Sequence, residues 1–139
     1  MTDHPRFDLP PKAAPEIVEE REALAEQVCR ELRRAGFPVR RPDLTDDPDV
    51  LPGIGVYVTP FVDGGVYANW RTDAELSGPA LALFAQGIDY DNPPPVLRHY
   101  NTVHKQMRTA LMGILASAGF AVEEPDRHTS GFMIMVTGR

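Results

Sequence analysis

The sequence predicts an α+β two-layer sandwich, an antiparallel sheet of about five strands with two long helices on one face. Three observations predict it. Two long segments repeat apolar residues at helical spacing, a central segment alternates apolar and polar residues about Asp63-Gly64-Gly65, and the passage from helix to strand occurs twice in nearly the same words.

The first helix opens at Pro15, a residue favoured in a first turn, and runs to Ala35. Ile17, Leu24, Val28, Leu32 and Ala35 recur at helical spacing, and Glu16, Glu19, Glu20, Glu22, Glu26 and Arg33 fall mostly on other faces. Acids crowd the first half and Arg30, Arg33 and Arg34 the last turns, which complements the helix dipole. Gly36 supplies a left-handed stop, and Phe37 folds back on the last turn. Residues 1–14, interrupted by Pro5, Pro10 and Pro11, read as a flexible N-terminal arm whose apolar anchors are Phe7 and Leu9. Such an arm either frays or straps over a neighbouring subunit. Residues 15–139 read as one α+β domain.

Pro93, Pro94 and Pro95 block helix upstream of the second long segment, and Gly119-Phe120 ends it. Between them Val96, Tyr100, Val103, Met107, Leu111, Ile114 and Ala118 form one apolar stripe broad enough to require a sheet beneath it. Val56, Val58, Val66, Ala68 and Trp70 supply the hairpin. A three-residue loop, Asp63 to Gly65, places them with Val62 on one face and Tyr57, Thr59, Phe61, Tyr67, Asn69 and Arg71 on the other, whereas a two-residue turn would mix the two sets. Phe132 to Thr137, apolar on both sides, reads as a central strand.

Leu32-Arg33-Arg34-Ala35-Gly36-Phe37-Pro38-Val39-Arg40-Arg41-Pro42-Asp43 aligns with Leu115-Ala116-Ser117-Ala118-Gly119-Phe120-Ala121-Val122-Glu123-Glu124-Pro125-Asp126, and seven of twelve positions are identical. Further on, Gly53 to Thr59 aligns with Gly131 to Thr137. Two readings compete: an internal helix-strand-strand duplication, or one common way of leaving a helix met twice.

The composition is that of an ordinary globular chain: 139 residues, 42% hydrophobic and 24% charged. A net charge of −6 argues against nucleic acid or an anionic membrane as partner. Cys29, the single cysteine, excludes an internal disulfide framework. With no signal-like N-terminal segment and no apolar run of spanning length, the expected location is the cytoplasm.

No catalytic spacing, metal site or cofactor fingerprint stands out. His99 and His104 are five residues apart on a helix and so point in different directions, His4 and His128 lie elsewhere, and Gly53-Ile54-Gly55 opens a strand with no third glycine. Cys29 reads as a buried bystander, and Ser77-Gly78-Pro79 as a turn. Two polar regions qualify as binding candidates. Asp89, Tyr90 and Asp91 sit beside the proline run, where they serve either as a stiff helix-entry loop or as a cation, sugar or acid/base contact. Arg98, Lys105 and Arg108 lie near one helix face within Asn92–Val122, a stretch without acids, as a solvated face or a docking stripe for an acidic or phosphate-bearing ligand. Tyr57, Phe61 and Tyr67, facing away from the expected core, complete the candidates. The function these features predict is a noncatalytic interaction or regulatory domain that self-associates, as a homodimer through its sheet faces, or binds a protein partner. A binder of a small anionic ligand is the alternative, and a small enzyme the third reading.

Overall fold

The computed structural model describes residues 11–42, 52–89, 91–125 and 133–139. In chain order these form α1 (Pro15–Arg34), β1 (Val39–Arg40), β2 (Gly53–Val58), β3 (Val66–Arg71), α2 (Ala74–Gln86), α3 (Pro95–Ser117), β4 (Ala121–Glu123) and β5 (Ile134–Gly138). The fold is α+β, with an open five-stranded sheet in the order β1-β2-β3-β5-β4 and helices packed on it. β2, β3, β5 and β4 pair antiparallel in succession, whereas β1 lies parallel to β2, so the sheet is mixed. The physical reason is length. Twelve residues separate Arg40 from Gly53, enough for a parallel return that no tight turn permits.

The two helix ends follow the glycine signals. Gly36 and Gly119 adopt φ values of 103° and 97°, and the amides of Phe37 and Phe120 donate to the carbonyls of Leu32 and Leu115 at 3.1 and 3.0 Å. Beyond this shared exit the aligned segments diverge, because β1 pairs parallel with β2 and β4 antiparallel with β5.

The core lies between one sheet face and α1 with the C-terminal half of α3. Ala25, Val28, Cys29 and Leu32 descend from α1, Leu111 and Leu115 from α3, and Ile54, Val56, Val66, Ala68, Ile134 and Val136 rise from the sheet. Each fully buried Leu or Ile here contributes roughly 1.5–3 kcal/mol relative to an exposed one. Both expected stripes are rotated. On α1, Ile17 is 40% exposed and Ala35 is exposed, while Ala25 and Cys29 are buried. On α3 the buried line is Leu97, His104, Leu111 and Leu115, with Val96, Tyr100, Val103, Met107 and Ile114 half-buried beside it. α3 is covered by the sheet under its C-terminal half, by α1 and by α2, so burial centres between them.

α2 itself is a correction to the sequence reading. Ser77-Gly78-Pro79, expected as a turn, lies inside this helix. Asp73 caps it, its side chain accepting from the Glu75 amide at 2.8 Å, and the apolar run behind Pro79 carries the helix on to Gln86.

The hairpin keeps the expected sidedness but not the expected loop. Val58 pairs with Val66 and Val56 with Ala68, so the loop spans residues 59–65, and Val62, expected on the core face, is 59% exposed. A shift of four residues preserves parity, which is why the two faces survive the change of register. β5 lies between β3 and β4, an interior position as expected; Phe132 lies outside the described residues.

Candidate interaction surfaces

Alternation along β2, β3 and β5 turns the odd-numbered residues away from the core. Tyr57 pairs with Tyr67, Tyr67 with Met135, and Met135 with Glu123, so one row crosses four strands on the outer face. The sequence-predicted Tyr57 and Tyr67 are thus neighbours, and both are half-buried. Glycines make room for Tyr57 and Met135. A Cβ at Gly55 would sit 2.8 Å from the Tyr57 hydroxyl oxygen and 3.0 Å from two ring carbons, so the Tyr57 ring lies along the sheet over Gly55. Likewise a Cβ at Gly65 would meet Met135 Cε at 2.7 Å. In the adjoining row Asn69 opposes Gly55, and its Oδ1 is buried without a hydrogen-bond partner among the described residues.

Phe61 joins this surface through a loop held from two sides. Within residues 59–65, the Thr59 amide donates to the Gly65 carbonyl at 3.0 Å, the Gly65 amide to Thr59 Oγ1 at 2.8 Å, and the Gly64 amide to the Phe61 carbonyl at 3.0 Å. From α1, Arg21 Nη1 donates to the carbonyls of Thr59 and Phe61, both at 2.7 Å. From the other side, Lys12 bridges Phe61 in antiparallel fashion, with the Ala13 amide on the Pro60 carbonyl and the Val62 amide on the Pro11 carbonyl, each 2.8 Å. The end of the expected arm therefore straps its own chain; Phe7 and Leu9 lie outside the described residues. Tyr57, Thr59, Phe61, Asp63, Gly64, Tyr67 and Met133 line an open concavity of about 510 Å³.

The polar candidates do not converge on a site. The Asp89 carboxylate accepts from the Asp91 amide at 3.0 Å and its carbonyl accepts from the Asn92 amide at 3.1 Å, which makes Asp89 part of a turn; Tyr90 lies outside the described residues. Arg98 and Lys105 share an exposed shallow groove with Asn101 and Thr102, but Arg108 is turned toward Glu124, 3.6 Å away. Cys29 is 1% exposed, and burial pushes its thiol above the ordinary range, the wrong direction for a nucleophile. His104 is buried with its ring 4.5 Å from that of Tyr100, and desolvation holds its pKa below the ordinary value. Among the described residues no cluster of three or more His, Cys, Asp or Glu side chains is placed to hold a metal ion, and no helix is long and apolar enough to cross a membrane.

A second open cleft, about 560 Å³, lies between the first turns of α1 and the end of β5, with Ile17, Leu24, Val66 and Val136 among its walls. Its two guanidinium groups are already engaged. Arg21 holds the loop carbonyls, and Arg139 lies 4.5 Å over the Phe120 ring while donating to the Ala118 carbonyl and Gln27.

Sequence reasoning missed Arg21 and the exposed apolar side of α2, where Leu81 and Phe84 are 54% and 39% exposed. For Arg21 the signal was faint, a single cation among the five glutamates of residues 16–26; for α2 it was plain, an apolar run read past because of Gly78-Pro79. Compared with protein-family models, with curated proteins and with solved structures, the chain matches none of them.

Proposed function

We propose that this chain is a noncatalytic interaction domain that self-associates as a homodimer through the outer face of its sheet. The observation that carries the reading is the row Tyr57–Tyr67–Met135 beside Phe61 and Met133, an aromatic and methionine surface on the face opposite the helix-covered core. Two further features favour a second copy of the chain. The edge strands have only two and three residues, which leaves little backbone for edge-to-edge pairing and directs association to the face. The register also puts Arg40 of β1 and Glu123 of β4 on this face at opposite edges, so a two-fold axis along the strands sets Arg40 of one copy against Glu123 of the other, twice.

The size of the face decides what must take part. Six-residue strands of about 3.4 Å per residue and four strand spacings of about 4.8 Å give a footprint of roughly 20 by 19 Å, about half of the ~800 Å² per partner of a standard interface. The 59–65 loop with Phe61 is therefore part of the contact. The noncatalytic reading is supported by the engagement of Asp89 in a turn and of Cys29 in the core, and a reducing cytoplasm suits a lone buried thiol.

Sedimentation velocity over a dilution series tests the reading. The wild type is expected to sediment as a dimer and Tyr57→Ala/Tyr67→Ala as a folded monomer. Glu123→Arg should weaken the dimer and Arg40→Glu added to it should restore it. A wild type that stays monomeric at every concentration overturns the proposal.

A further inference from the structure

We propose that the exposed side of α2 is a docking surface for a helical segment of another protein, apolar along its length and carrying Lys or Arg at both ends. Three observations about α2 lead there, and none uses the outer sheet face.

The first is that α2 is apolar nearly all round yet buries only Ala80. Leu81 and Phe84 are exposed, and Ala74, Gly78, Ala82 and Ala85 are exposed on the same side at helical spacing, with open space above Gly78. Helices of this composition are ordinarily covered on all sides.

The second is that two residues inside this helix oppose it and the core does not hold it. Gly78 and Pro79 are the two poorest helix formers, Pro79 removes the amide that would bond the Glu75 carbonyl, and α2 packs chiefly on α3, outside the core cluster. Small residues flanked by Leu81 and Phe84 form a shallow surface on which a second helix can approach closely.

The third observation selects the occupant. No charged side chain occurs from Gly78 to Gln86, while Asp73 and Glu75 stand exposed at one end and Asp89 and Asp91 at the other. The helix between them is about 20 Å long at 1.5 Å per residue. The surface is therefore neutral in the middle and acidic at both ends, complementary to an apolar helix with basic ends some four turns apart. A second copy of α2 fits poorly, since acids oppose acids in either orientation. An anionic lipid surface fits no better, because α2 carries no Lys or Arg.

The test uses the full chain and two synthetic helical peptides of one Leu/Ala-rich core, flanked at both ends by two lysines or by two glutamates, titrated with amide chemical-shift mapping. The Lys-flanked peptide is expected to bind along α2, at least about tenfold more tightly than its Glu-flanked twin and more weakly as salt rises. Leu81→Gln/Phe84→Gln is expected to abolish binding. Glu75→Gln/Asp91→Asn, which leaves the apolar surface intact, is expected to weaken binding severalfold while Tyr57→Ala/Tyr67→Ala leaves it unchanged. Absence of binding, or equal binding of the two peptides, overturns the proposal. So does a wild-type self-association, or a binding to phosphatidylserine vesicles, that Leu81→Gln/Phe84→Gln removes.

Discussion

Removing the Arg21 guanidinium should loosen the loop that presents Phe61 while leaving the core in place. Arg21 is half-buried on α1, and one of its terminal nitrogens reaches two backbone carbonyls, Thr59 and Phe61, at 2.7 Å, with a longer bond at 3.4 Å from the other nitrogen to Val62. A hydrogen bond from a charged donor contributes about 1.5–3 kcal/mol when its partner is left unsatisfied in the interior. Here the freed carbonyls regain water, so Arg21→Ala should cost about 1–2 kcal/mol, a drop in Tm of roughly 3–8 °C for a domain of this size. Arg21→Lys should recover only part of this, because a single ammonium cannot reproduce the fork whose second nitrogen reaches the Val62 carbonyl. Urea unfolding gives the first number. Hydrogen exchange gives the decisive one, since protection should fall at the amides of Thr59, Gly64 and Gly65, which bond within this loop, and not in β5. An unchanged Tm together with unchanged exchange at those amides would refute the assignment of Arg21 as the loop's anchor.

Three further outcomes follow from the packing. His104, buried and held below its ordinary value near 6.5, stays neutral in the folded chain while the unfolded chain takes up a proton. Its contribution is complete above about pH 6.5 and shrinks as pH falls toward the folded value, so His104→Leu should flatten the stability–pH curve below that point; equal slopes in both proteins would count against it. Leu115→Ala, at the centre of the cluster joining α3 to the sheet, should cost about 2–5 kcal/mol in urea unfolding. Gly55→Ala should leave stability within about 1 kcal/mol, because the smaller unfolded-state entropy of Ala offsets the strain. It should still lift the Tyr57 ring off the sheet and weaken self-association, and unshifted Tyr57 ring resonances in that variant would contradict the packing described over Gly55.

What the sequence made legible was sidedness. Parity along Val56–Val58 and Val66–Trp70 separates the core face from the tyrosine face whatever the loop length, since any even shift in register leaves it intact. Register was not legible, because it is fixed by residues far away in the chain: Arg21 on α1 and the Pro11–Ala13 segment hold the 59–65 loop, and neither carries a local signal. Helix ends were legible because their cause is local, the left-handed glycine followed by phenylalanine. Burial along α1 and α3 was shifted by about a residue because the stripe records only that a face is apolar, while the neighbours decide its centre.

α2 marks the point where local and tertiary signals conflict. Gly78-Pro79 argues for a turn, with a cost of about 1 and 3 kcal/mol for the two residues in a helix interior. Against this stand the Asp73 cap and the apolar run from Ala80 to Ala85, in a helix that packs on α3. The core gains little from the outcome, with Ala80 alone fully buried. On the docking proposal, the exposed apolar side of α2 receives a partner helix, and the acids at its two ends disfavour self-pairing and favour a basic occupant. The outer sheet face differs: Tyr57 lies over Gly55 and Met135 over Gly65, both half-buried, and its charges are of opposite sign at opposite edges, which suits the proposed second copy. The two proposed contacts have opposed electrostatic logic, so variants that disable one should leave the other intact.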